Sequence, residues 1–131
     1  MTAAVQEAIE EIRNAFAGHS VEAEPDGQDG AFVKAHALFV GDQYEPSTSW
    51  LAFRITFQYP HADVYPHFCV PGLKRKDGRP LGSEFNPNNT WQSAAKSEPA
   101  TMVSRRSNRL NAATDTAALK LAKVLDWIRT R

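Results

Sequence analysis

The chain has 131 residues, of which 42% are apolar and 23% charged, and its formal net charge is zero. These values are typical of one globular domain and exclude a disordered tail, a collagen-like repeat and a coiled coil. No apolar run approaches the roughly 20 residues that a membrane helix needs, and residues 1–16 show neither the basic start nor the apolar block of a secretory signal. The sequence therefore predicts a cytoplasmic protein that does not contact a membrane. Its single cysteine, Cys69, excludes a disulfide framework and a thiolate-rich zinc site.

Charge is distributed unevenly along the chain. Residues 1–65 carry three basic and ten acidic side chains, a net charge of −7, whereas residues 66–131 carry twelve basic and five acidic ones, a net charge of +7. If the fold keeps the two halves apart, this asymmetry steers a charged partner towards one side of the molecule. The simpler interpretation is that both charge blocks are solvated surface.

The first half of the chain predicts one helix and three strands. Apolar side chains recur at helical spacing at Val5, Ile9, Ile12 and Phe16. This spacing predicts a helix over residues 3–17, with Thr2 as its N-cap. Period-two alternation predicts strands over residues 20–25, 31–40 and 50–59, the last being the clearest pattern in the sequence. We expect the second and third of these strands to pair as a hairpin.

The second half of the chain is less regular. Prolines interrupt the pattern after residue 59, and a short fourth strand is predicted over 67–70. Residues 72–111 show no periodicity and predict a long irregular segment, a kind of connection that is commonly functional. Thr114 and Asp115 are predicted to cap a final helix over 115–130. The predicted fold is therefore a single α+β domain with an N-terminal helix, a three- to four-stranded antiparallel meander, the irregular segment and a C-terminal helix.

This order of elements resembles the ubiquitin-conjugating enzyme fold and its non-catalytic RWD relatives. Residues 51–57 resemble the third strand of that family, and Tyr59-Pro60 with Tyr65-Pro66 resembles the proline motif that turns the chain across the sheet. Residues 108–128 are similar to the family segment around W-x-P-A-x-T, which leads into a helix, with Leu110 in the position of the tryptophan.

A narrower resemblance is to the prokaryotic members encoded beside ubiquitin-like modifiers, activating-type enzymes and JAB-type peptidases. Trp91-Gln92, the basic segment 104–106 and the final helix are similar to features of one such subgroup. The resemblance implies that the protein acts in a ubiquitin-like modifier pathway, with the modifier or an activating-type enzyme as its partner.

The family's nucleophile is missing at the expected positions. The resemblance implies a catalytic cysteine eight residues before Leu110, where this chain has Met102. Asn86-Pro87-Asn88 resembles the family's His-Pro-Asn, so Asn88 would steady the oxyanion, and the family spacing from Asn88 leads to Lys96. The competing interpretation of these asparagines is an ordinary turn. Because neither Met nor Lys forms a thioester, we expect a catalytically silent protein that binds a modifier or partner protein.

Cys69 is the only thiol that could restore enzyme activity. A thioester-forming enzyme needs a thiolate that two partner proteins can reach. That hypothesis predicts an exposed Cys69 near Asn88, with His67 or His61 as its base. Free cysteines are among the most buried residue types, so the competing interpretation is an inert core cysteine.

No metal or other cofactor is predicted. His61, Asp63 and His67 are close in sequence, but they lack the i, i+4 spacing of a helical metal site and have no convincing third ligand. The chain also contains neither a Gly-rich phosphate loop nor a Ser-His-Asp signature.

The second half of the chain provides candidates for partner binding. The binding-module hypothesis places a partner surface at two tryptophans and three arginines: Trp91, Arg105, Arg106, Arg109 and Trp127. The arginines could hold an acidic partner or a carboxylate tail, and the alternative is a solvated loop. A third hypothesis adds the basic run 74–79 and makes this a nucleic-acid surface. The sequence pI of 6.9 and the lack of a recognised nucleic-acid motif disfavour that hypothesis.

Overall fold

Two helices, one near each end of the chain, pack on the same face of an antiparallel sheet. All residues from 1 to 131 are described by a computed structural model. The helices are α1 (Ala3–Ala15) and α2 (Ala117–Arg129). The strands are β1 (Val21–Pro25), β2 (Ala31–Phe39), β3 (Tyr44–Glu45), β4 (Thr48–Ile55), β5 (His67–Cys69), β6 (Lys74–Arg75), β7 (Phe85–Gln92) and β8 (Ser97–Val103). The predicted α+β class with a helix at each end is confirmed.

The main sheet has six strands in the order β1-β2-β4-β5-β8-β7, and every neighbouring pair is antiparallel. Its first four strands form the predicted meander. The predicted hairpin is confirmed, since β2 pairs with β4 and Val33 lies opposite Phe53. The short strands β3 and β6 form a separate two-stranded sheet. There the Tyr44 hydroxyl donates a 2.8 Å hydrogen bond to the Ile128 carbonyl and attaches the end of α2.

The prediction of one irregular segment over residues 72–111 is wrong. Strands β6, β7 and β8 lie within it, and the β7–β8 hairpin joins the sheet through β8. Prolines and asparagines concealed these strands. Pro87 lies in a bulge of the edge strand β7, and Pro99 lies beyond the part of β8 that β5 covers, so neither breaks the centre of the sheet.

The main core lies between the helices and the sheet. Its largest fully buried side chains come from both helices and three of the strands: Ile12, Leu38, Tyr44, Leu51, Phe53, Ile55, Leu121 and Ile128. Thr2 caps α1 as predicted, since its hydroxyl accepts a 3.1 Å hydrogen bond from the Val5 amide. The N-cap of α2 is Thr116, not Thr114 or Asp115. The Asp115 carboxylate instead accepts from the Asn111 amide and closes the preceding turn.

Two predicted strand faces change where the pairing changes. Regular alternation over the predicted strand 31–40 would place Ala37 and Phe39 on the face of Val33, but Ala37 has a φ of +58° and the register shifts around it. Leu38 is therefore buried and Phe39 is exposed. The alternation over residues 50–59 would likewise place Phe57 on the buried side with Phe53 and Ile55, but Phe57 is 57% exposed because β4 ends at Ile55.

The β7–β8 hairpin folds over the sheet face opposite the helices. Its Trp91 is only 5% exposed and packs against Phe32, edge to face, and against Phe68, with ring centroids 5.9 and 5.3 Å away. A 2.7 Å ion pair between Lys34 and Glu98 joins the hairpin to β2. Trp91 forms a small second core with Ala52 and Ala100, separate from the core under the helices.

Candidate functional site

Cys69 lies in the main core. It belongs to β5, pairs across the sheet with Leu51 and Thr101, and is 1% exposed. Burial raises the pKa of the thiol to about 12, so the sulfur is protonated at neutral pH. The proposed base His67 is itself fully buried, while His61 is exposed in the preceding loop. The structure does not provide the exposed, ionised thiol that the thioester hypothesis requires.

Neither alternative nucleophile position carries a group that could replace the thiol. Met102 lies within β8 opposite Phe68 and is half-buried, and Lys96 is exposed between β7 and β8. Asn88 is exposed in the bulge of β7, where its backbone amide donates a 3.3 Å hydrogen bond to the side-chain oxygen of Asn86. This side-chain-to-backbone bond is typical of a turn, as the simpler interpretation of these asparagines expected.

Basic side chains converge beside α2. Residues 104–109, which follow β8, and α2 enclose a groove of about 270 Å³, here called the basic groove. Five cationic side chains and one carboxylate line it: Arg105, Arg106, Arg109, Lys120, Lys123 and Asp115. The three predicted arginines are therefore brought together. Lys120 and Lys123 were not predicted, although their i, i+3 spacing outside the apolar stripe of the last helix places them on one side.

Aromatic rings position two of the arginines. The Arg105 guanidinium lies 4.7 Å from the centroid of the Trp127 ring, and Arg106 lies 3.9 Å from that of Tyr65. Trp127 also stacks on Phe85 at 5.3 Å. Such contacts restrict a flexible guanidinium to one region, so less entropy is lost when it binds an anion. Trp127 does not itself line the groove, but its ring contacts Arg105, which does.

Asp63 connects residues 105–109, which line the groove, to α2. Its carboxylate accepts hydrogen bonds from the Ser107 amide at 2.7 Å, the Ser107 hydroxyl at 2.8 Å and the Lys120 ammonium at 3.1 Å. Burial alone would raise the pKa of Asp63, but these bonds and the charge of Lys120 outweigh it and lower the pKa. No local sequence pattern predicts this role, because Asp63 is separated from Ser107 by 44 positions and from Lys120 by 57.

His67 lies in the main core near this cluster. Its ring centroid is 5.0 Å from that of Phe53, and neither ring nitrogen has a hydrogen-bond partner. Burial is the main cause that lowers the pKa of His67 to about 3, and the positive charge of Lys120 lowers it further. The negative charge of Asp63 acts in the opposite direction. The imidazole is therefore neutral at pH 7 and cannot attract an anion as a positively charged group. Buried polar atoms without partners are rare, and the two nitrogens of His67 lower the stability of the folded protein.

Trp91 does not belong to the basic groove. Placing it on one surface with Arg105 and Trp127 was wrong, because the β7–β8 hairpin carries it to the opposite face of the sheet. There it lines a separate cleft of about 280 Å³ with Phe32, Lys34 and Lys96.

Comparison with protein-family models, curated proteins and solved structures gives no match to this chain. No group of three or more His, Cys, Asp and Glu side chains is placed to hold a metal ion. Neither helix combines the length and the apolar character needed to cross a membrane. The fold and site define an α+β domain with a buried thiol and a basic surface groove.

Proposed function

We propose that this protein is a non-catalytic, ubiquitin-conjugating-like domain of a prokaryotic ubiquitin-like modifier pathway. It binds the modifier, or a protein that handles the modifier, at the basic groove. The observation that carries the proposal is this groove in a domain whose only thiol is buried in the core.

The order of elements supports the family resemblance. A helix precedes a four-stranded antiparallel meander, and Tyr59-Pro60 and Tyr65-Pro66 lie in the connection between its third and fourth strands, β4 and β5. The Tyr59 hydroxyl accepts a 3.0 Å hydrogen bond from the Ala117 amide, and the Tyr65 hydroxyl donates one of 3.1 Å to Ser104. The proline crossing is therefore tied to the start of α2 and to the segment that forms the groove.

The thioester alternative is less well supported. Attack on a thioester requires the thiolate, and a pKa of about 12 leaves Cys69 almost entirely protonated at neutral pH. Both partner proteins would also have to reach a side chain that is 1% exposed. Asn88 cannot compensate for this, because an oxyanion donor acts only beside a working nucleophile.

Site-specific photocrosslinking in the cells that make the protein tests the proposal. A photoreactive phenylalanine analogue replaces Asn108, an exposed residue that lines the groove. The matched control carries the same analogue at Phe57, which is exposed and does not line the groove. We expect position 108, and not position 57, to form an adduct with a ubiquitin-like modifier or an activating-type enzyme. Adducts with nucleic acid, the same adducts at both positions, or no adduct at position 108 would contradict the proposal.

A further inference from the structure

The basic groove has an excess of positive charge that the molecule does not neutralise. Of its five cations, Lys120 is paired with Asp63, whereas Arg109 and Lys123 are exposed and form no ion pair. The groove contains one carboxylate, that of Asp115, against these five cations, so an excess of positive charge remains. Like charges held together in one concave site favour binding of an anion, because the anion relieves their repulsion.

The size of the groove favours a small anionic group. Its volume of about 270 Å³ lies just below the range of roughly 300–1,000 Å³ found for pockets that hold drug-sized ligands. Only one of its nine lining residues, Val124, is hydrophobic. Such a site suits one or two charged side chains of a partner better than the ring system of a cofactor.

The aromatic rings beside the groove leave little room for nucleic-acid bases. Single-stranded nucleic acid typically stacks its bases on free aromatic faces. The Trp127 ring is stacked on Phe85 and lies within 4.7 Å of Arg105 and 5.0 Å of Arg131. The Tyr65 ring has Arg106 at 3.9 Å. The groove therefore offers cations without an aromatic stacking platform.

The acidic helix α1 limits how far a polyanion could extend. It packs beside α2 and carries carboxylates that include exposed Glu7 and half-buried Glu11. Burial, and to a smaller extent the charges of Glu11 and Glu7, raise the pKa of Tyr59, whose hydroxyl bonds the start of α2. A long polyanion running past the groove would meet this negative charge, whereas a short acidic segment would not.

We infer that the basic groove binds a short acidic peptide segment of the partner protein, with its Asp and Glu carboxylates held by Arg109, Lys123 and the two ring-stacked arginines. The inference rests on the proposed function, since it specifies the chemistry of the partner. Arginine is well suited to this role because its guanidinium can bind a carboxylate through two parallel hydrogen bonds.

Fluorescence anisotropy with three labelled probes tests this inference. The probes are a peptide of alternating Asp and Glu, the same peptide with Asn and Gln, and a short oligothymidylate. We expect the acidic peptide to bind, the amide peptide not to bind, and the oligothymidylate to bind more weakly than the acidic peptide. Affinity for the acidic peptide should fall as salt is raised, because the contacts are between exposed charges.

Two charge-reversal variants with the same net charge localise the binding. Arg109→Glu combined with Lys123→Glu should weaken binding of the acidic peptide at least about tenfold. Lys74→Glu combined with Lys96→Glu, at exposed residues outside the groove, should change it by less than about twofold. Circular dichroism checks that both variants are folded.

Three results would overturn the inference: no binding of the acidic peptide, equal loss in both variants, or tighter binding of the oligothymidylate. If position 108 still forms its protein adduct while the acidic peptide fails to bind, the acidic-segment inference fails and the proposed function stands. If the acidic peptide binds but no modifier-pathway protein is captured, the proposed function fails.

Discussion

Acidification from pH 6.5 is expected to destabilise the protein through His67 first, before carboxylates with a lowered pKa such as that of Asp63 become protonated. In the folded protein the pKa of this imidazole is lowered to about 3, against 6.5 for an unperturbed histidine. Between these values the unfolded chain binds a proton that the folded protein does not bind, so stability falls as the pH is lowered from 6.5 towards 3. The slope from this one group is at most about 1.4 kcal/mol per pH unit. Above pH 6.5 its contribution to the pH dependence disappears.

His67→Leu should remove this part of the pH dependence. At pH 7 the variant should be as stable as the original protein or more stable by about 1 kcal/mol, because two buried nitrogens without partners are replaced by carbon. Urea unfolding at several pH values between 4.5 and 7 measures both effects. His61→Leu, at an exposed histidine, is the control and should keep the original slope. An unchanged slope in His67→Leu would contradict this interpretation.

Asp63→Ala is expected to cost about 3 kcal/mol of unfolding free energy. The substitution removes the acceptor of three hydrogen-bond donors and leaves Lys120, whose side chain is 10% exposed, without its ion-pair partner. Segment 104–109 should then loosen, and trypsin should cleave the folded protein more rapidly after its arginines. Urea unfolding and limited trypsin digestion with mass analysis measure the two effects.

Two further variants distinguish this partly buried pair from an ordinary surface ion pair. Asp126→Ala removes a carboxylate that is 77% exposed and pairs with Arg129, and it should change stability by less than about 0.5 kcal/mol. Asp63→Ala combined with Lys120→Met should be more stable than Asp63→Ala alone, because no unpaired ammonium remains. If Asp63→Ala matched Asp126→Ala in stability and protease resistance, Asp63 would not hold the groove segment.

Local patterns predicted the elements whose residues bury one continuous face. The alternation over residues 50–59 identified β4, and the spacing from Val5 to Ile12 identified the buried side of α1. The hairpin β7–β8 was missed because it lies at the edge of the sheet, where prolines and asparagines are tolerated and no regular alternation is required.

The candidate site depends on contacts between distant parts of the chain. The arginine cluster was visible in the sequence, but Asp63 meets Ser107 and Lys120 across 44 and 57 positions, and no local pattern predicts such a meeting. Trp91 was misplaced for the same reason, since only the folding of the hairpin over Phe32 determines its side of the sheet. The sequence therefore identifies candidate side chains but not which of them tertiary contacts bring together in one site.

Labelling of Cys69 in the native protein with a bulky maleimide, followed by intact mass, tests most directly whether the protein is non-catalytic. The buried thiol should react at least about 1,000-fold more slowly in the native protein than in the urea-unfolded chain, because labelling must wait for an opening of the core. A Cys69→Ser, Asn108→Cys variant, with its thiol at an exposed position, should label at similar rates in both states and controls for the reagent. Rapid native labelling of Cys69, at a rate equal to or above that of the unfolded chain, would contradict a non-catalytic function and favour thioester chemistry at Cys69.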